Sequence, residues 1–145
     1  MASGVYNRGK AVMLAAVNWS STNVGVLLVT STYTPNADHN VVTDITNELT
    51  GGGYARQTTV ASRSVSEDDA NDRVDLLAAK VTFPSLGAAA GTPKYAVIYD
   101  NTNGTDATRD VLCWVDLGAA PVPDGNNYEI RWNSVDGTGA VMRLT

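Results

Sequence analysis

From Val24 onward the chain is a succession of short β-branched runs broken by turn residues, and this pattern constrains the fold more than any other feature. "VGVLLVTS" (24–31) is continuously apolar, as a strand buried on both faces must be. "KYAVIYD" (94–100) has the same two-sided character. "DVLCWVDL" (110–117) sets Val111, Cys113, Val115 and Leu117 on one side. "YEIRWN" (128–133) alternates, with Tyr128, Ile130 and Trp132 inward and Glu129, Arg131 and Asn133 outward. "AVMRLT" (140–145) keeps Ala140, Met142 and Leu144 in phase. Asn103-Gly104, Asp124-Gly125 and Asp136-Gly137 punctuate these runs as turn signals. The spacing predicts an all-β fold, an antiparallel sandwich or barrel of about seven strands.

Two longer segments complete the count. Tyr54–Val65 is Thr/Val-rich and reads as one long polar strand. Arg73–Phe83 reads as another whose phase slips: Val74, Leu76 and Ala78 share one face, Leu77, Ala79, Val81 and Phe83 the other. Such a slip predicts a bulge or a bend between sheets. Ahead of the strands, Tyr6, Met13, Leu14 and Val17 recur at helical spacing, which predicts a short N-terminal helix over residues 6–17. Tyr128, Ile130, Trp132, Met142 and Leu144 are expected in one core with the 24–29 and 95–99 runs. No linker divides the chain, so residues 1–145 are expected to form a single domain.

Composition removes several functions. The net charge is −5 and the one local basic cluster is Arg8-Gly9-Lys10, so the basic stripe that a phosphate backbone demands is lacking, and no nucleic-acid partner is expected. An anionic membrane surface is disfavoured for the same reason, and no apolar run approaches the ~18 residues of a membrane helix. Ala11–Val17 is short for the core of a signal peptide, and Asn18-Trp19 follows where small residues would be cleaved. The single cysteine, Cys113, excludes an internal disulfide.

Candidate sites are few. Gly51-Gly52-Gly53 suggests a phosphate loop, but no Gly-Lys pair follows and a strand pattern does, so the glycines read as a turn with positive φ. "SEDDANDR" (66–73) gathers Glu67, Asp68, Asp69 and Asp72. Asp68, Asp69 and Asp72 are weak calcium candidates, since the ordered ligand spacing of a calcium loop is missing and a solvated acidic turn explains them. His39 is the lone histidine, in turn chemistry, and one histidine with one cysteine cannot close a zinc site. Trp19, Trp114 and Trp132 could build a sugar platform, although core packing suits the two in alternating runs better. No residue set carries catalysis with specificity, and neither an enzymatic role nor a cofactor is expected.

A resemblance supplies the positive expectation. "VYNRGKAVMLAAVNW", "VGVLLVTSTYTPNADHNVVTDI", "NELTGGGYARQ", "DDANDRVDLLAAKVTFPSL", "KYAVIYDNTNGTDATRDVLCWVDLG" and "YEIRWNSVDGTGAVMRLT" follow one another as in a family of small virion structural proteins of tailed bacteriophages, which the chain resembles over most of its length. The resemblance implies a non-enzymatic virion part. The leading expectation is a head decoration (cement) protein on the outer surface of the capsid, binding the major capsid protein as a homotrimer. The alternative is a tail or fibre module that contacts the host surface. Thr58, Val60 and Ala61, with Thr59, on the expected 54–65 strand are the candidate oligomer interface, because they combine strand propensity with little charge. The residues before Tyr6 are expected to act as a terminal arm that orders on binding.

Overall fold

The structure, a computed structural model, describes residues 2–15, 17–102, 104–132 and 138–144. It is all-β and sandwich-like, with nine strands in antiparallel sheets and one short α-helix near the N-terminus among the described residues. In chain order these are β1 (Ser3–Val5), α1 (Asn7–Ala15), β2 (Val24–Val29), β3 (Ser64–Asp68), β4 (Arg73–Ala79), β5 (Val81–Phe83), β6 (Tyr95–Asp100), β7 (Val111–Asp116), β8 (Tyr128–Ile130) and β9 (Thr138–Leu144). The side chain of Leu14, residues Asn103 and Asn133, and the Asp136-Gly137 turn lie outside the described residues.

A four-stranded sheet in the order β1-β7-β6-β2 is the centre of the molecule. Every residue of β2 is buried, as its unbroken apolar run requires. Its two faces serve two cores. Val24, Val26 and Leu28 pack with Ala96, Ile98, Cys113 and Val115 toward the other sheets. Leu27 and Val29 pack with Val97, Tyr99, Val111, Tyr6, Tyr33 and Val42 on the opposite side. Tyr6 begins the connection into α1, and α1 can approach β7 because residue 9 is glycine: a methyl group there would collide with the Leu112 carbonyl.

The second layer holds the sheet β3-β4-β9 and the pair β5-β8. Here the predicted phase slip has a structural form. β4 ends at Ala79 and β5 begins at Val81 in a different sheet. Breaking at Lys80 lets Leu76 and Ala78, then Val81 and Phe83, all enter one core. A register shift accompanies it: Leu76 faces Met142 while Leu77 faces Ala140. Val141 is thus the extra residue of a β-bulge, and it is buried beside its neighbour Met142.

Four expectations are corrected. Tyr54–Val65 is not one strand: only Gln57 bridges to Val26 before β3 begins at Ser64. Residues 3–5 are no free arm, since they pair with Val115, Trp114 and Cys113 of β7. Val111 does not share a side with Cys113 and Val115: a register shift after Ile98 sets Leu112 with them in the main core and turns Val111 into the second. Leu144 leaves the core and is 42% exposed, while Ile130, Trp132 and Met142 are buried in it with Tyr128 packed against them.

Candidate interaction groove

An apolar groove of about 510 Å³ runs between α1 and the β3-β4-β9 sheet. One wall is Lys10 and Met13, three residues apart on α1 and so on one face of it. The loop 17–19 continues that wall. Trp19 is 4% exposed and donates its indole N–H to the Leu77 carbonyl at 2.8 Å, which fixes the loop to β4. Arg63 braces it from below, with Nε on the Trp19 carbonyl at 2.9 Å, Nη2 on the Thr22 carbonyl at 2.6 Å and Nη1 on the Val60 carbonyl.

The opposite wall comes from the sheet, and antiparallel register decides which side chains share its face. Val65, Leu76 and Met142 form one cross-strand row, and Glu67, Val74 and Leu144 the next. Trp19 and its neighbours cover the first row at Leu76 and Met142, which are buried. The second row overhangs, and so does Val65 at the outer edge of the first. Val65 at 50% and Leu144 at 42% are two of the three large apolar side chains exposed among the described residues. On the reverse face of the same sheet Asp75 is held by Arg143 at 2.7 Å and Arg73 at 3.5 Å, and the Arg143 hydrogen bond keeps its carboxyl below the usual range.

Beyond Val74 and Leu144 the groove opens into the acidic tip of the β3–β4 hairpin. Asp68 pairs with Arg73 at 2.8 Å and accepts from Asn71, whereas Glu67, Asp69 and Asp72 point into solvent without a partner. Asp72 takes a left-handed conformation, φ 50°, to close the turn. The structure therefore brings Asp68, Asp69 and Asp72 to one hairpin tip, but among the described residues no three His, Cys, Asp or Glu side chains converge in a metal-holding arrangement.

The other predicted residues are placed as follows. Val60 is 2% exposed and donates its N–H to the Val24 carbonyl at 3.1 Å, so it is a core residue and cannot face a partner. Thr58 and Ala61 on either side of it are exposed, on irregular backbone rather than a strand edge. Trp19 and Trp132 are buried and Trp114 is half-buried, so the three do not form a platform. Trp114 instead meets Tyr95 edge to face, centroids 5.7 Å apart. His39 accepts or donates at Nδ1 to the Tyr33 hydroxyl at 2.9 Å, and Tyr33 in turn meets the Tyr6 hydroxyl at 2.8 Å. Burial raises the phenol pKa of both tyrosines, which keeps the chain of hydroxyls neutral. Cys113 is buried and its pKa is pushed up to about 12 by desolvation, so it is a packed thiol rather than a nucleophile.

Gly51, Gly52 and Gly53 all have positive φ, at 73°, 54° and 77°. They turn the chain out of its path beside β2 and press it against residues 85–90, where Gly87 N–H donates to the Gly52 carbonyl at 2.7 Å. The excursion is tied down by Arg56, which pairs with Glu48 at 2.5 Å and with Asp106 at 2.8 Å.

The groove itself escaped the reading of the sequence. Its one local signal is Val65, a lone apolar residue in the polar stretch 62–69. Among known proteins the chain matches no family model, no curated sequence and no solved structure.

Proposed function

We propose that this chain is a non-enzymatic structural component of a tailed-bacteriophage particle, a head decoration (cement) protein on the outer surface of the capsid that binds the major capsid protein. The observation that carries the reading is the groove. Its lining is almost wholly aliphatic and aromatic, its overhanging Val65 and Leu144 stay exposed, and a continuous apolar surface of this kind is the mark of a protein–protein contact. The ordered resemblance to small virion proteins supports the setting. A β fold on a chain of net charge −5 suits a part that sits beside packaged nucleic acid without adhering to it. Several copies joined in one unit would add weak shell contacts through effective concentration.

The test is co-sedimentation of the purified chain with heads of the phage that encodes it, before and after expansion. Saturable binding to expanded heads, with a raised melting point of the shell, is expected. Binding to tails or cells and not to heads would overturn it.

One observation favours the second reading, a tail or fibre module. Tyr95 and Trp114 form a half-buried aromatic pair on the central sheet, and the Lys94 ammonium lies 5.6 Å from the Tyr95 ring centre. An aromatic face flanked by Lys94 and Asp116, themselves paired at 2.7 Å, could stack a sugar ring. Loss of cell-wall glycan binding in Trp114→Ala would support it, and no glycan binding by the unaltered chain would remove it.

A further inference from the structure

We propose that the occupant of the groove is the groove of a second copy of this chain, packed face to face about a two-fold axis. The inference deepens the assembly reading and rests on it in taking the groove as a protein–protein surface: the groove joins copies into the unit that meets the shell, and the shell contact falls to the outer faces of that pair.

Three observations converge. First, the β3-β4-β9 sheet carries its apolar face past the layer that covers it. The row Val65–Leu76–Met142 is partly roofed, and the row Glu67–Val74–Leu144 is not. A pleated face whose side chains alternate apolar-in is covered in stable folds, and an identical face supplies matching area without new sequence.

Second, the groove has a charge direction. Lys10 lines it on the α1 wall, and the acidic tip with Glu67, Asp69 and Asp72 adjoins it at Val74 and Leu144. The side chain of Lys10 forms no ion pair or hydrogen bond, and neither do those of Glu67, Asp69 or Asp72, although ten ion pairs are formed among the described residues, most of the other charged side chains taking part. These unpaired charges flank the apolar surface, the cation on its α1 wall and the anions beyond Val74 and Leu144.

Third, a two-fold axis midway between Lys10 and the acidic tip exchanges the two. Each copy then sets its Lys10 against the partner's acidic tip, and the uncovered Val65, Val74 and Leu144 of the two copies meet between them. A cyclic threefold ring would need two different complementary patches on each copy, whereas this single patch is complementary to itself. The charges fix orientation and register, and the apolar rows supply the contact.

The experiment is sizing with light scattering, followed by sedimentation equilibrium, on the purified full chain. A particle of twice the 15.2 kDa chain mass is expected, dissociating on dilution. Val65→Asp and Leu144→Asp alter exposed side chains, so both variants should keep the wild-type far-UV spectrum and melt as folded monomers. Lys10→Glu should weaken dimerisation about tenfold or more. Adding Glu67→Lys to it should restore much of the loss, because each contact pairs position 10 of one copy with position 67 of the other. A monomer at all concentrations, a trimer, or a dimer indifferent to Val65→Asp and Leu144→Asp would each overturn the proposal. A monomer that loses head binding when the groove is altered would assign the groove to the shell protein. Because sizing uses the chain alone, its failure leaves the head-binding result to be judged separately.

Discussion

The Tyr54 hydroxyl accepts the backbone N–H of Leu28 at 2.9 Å. Leu28 lies in β2, and its carbonyl accepts from Leu49 in the ordinary antiparallel manner. Its N–H would next require a carbonyl from the same neighbour, but the chain has turned away at Gly51–Gly53. The tyrosine hydroxyl fills that position and passes its own proton to Glu48 at 2.9 Å. The ring stacks on Phe83 with centroids 6.0 Å apart. Tyr54→Phe keeps the ring and removes the bridge. It should cost ~1–3 kcal/mol in denaturant unfolding, the penalty for a buried N–H left unpaired. Hydrogen exchange at Leu28 should quicken with it.

Gly9→Ala should destabilise the protein even though alanine is the better helix former by about 1 kcal/mol. The added methyl collides with the Leu112 carbonyl, which is backbone and cannot rotate away. The helix must shift off β7, and with it the Lys10–Met13 wall of the groove. A lower melting temperature is the expected result; a higher one would mean that the helix does not pack as described.

Trp132 is fully buried and donates its indole N–H to the Ala79 carbonyl at 2.8 Å, at the point where β4 gives way to β5. Trp132→Ala removes the largest side chain of the main core and should cost ~3–5 kcal/mol. Trp132→Phe refills most of the volume but leaves that carbonyl unpaired, so it should fall between the two by chemical denaturation.

Acid should weaken the fold in a defined window. Asp44 accepts the N–H groups of Val41 and Asn40, Asp116 is held by Lys94, and Asp75 by Arg143; each partner lowers the carboxyl's pKa below its ordinary value. The unfolded chain therefore binds more protons than the folded one between the two values. Stability should be level above about pH 5 and fall as pH drops through the ordinary carboxylate range toward the lowered pKa values. Melting temperature against pH shows this directly, and Asp44→Asn should flatten part of the slope.

Much of this architecture is legible in the sequence where burial and period agree. β2 and β6 are uninterrupted apolar runs, and their pairing is what such runs require; β7 departs from its alternation because a register shift after Ile98 turns Val111 into the second core. The break at Lys80 follows from two apolar phases that must reach one core. Where local pattern and tertiary position part, the sequence misleads. Residues 54–63 have strand composition but only intermittent hydrogen bonds to β2, because the glycine excursion carries them away. Leu144 is in phase with Met142, yet its row lies beyond the covering layer. β1 has three residues, too few for any period, and exists because β7 offers an edge. The groove unites residues from α1, β3, β4 and β9, and no single segment announces it.

The most direct measurement is the number of copies of this chain in purified phage particles, taken separately for isolated heads and isolated tails by quantitative mass spectrometry. A cement protein that spans seams between capsid subunits must be present on the order of hundreds of copies per head, since cyclic units repeat over the whole shell. That abundance is expected in heads, and none in tails. A handful of copies confined to tails, or none in the particle, would contradict it.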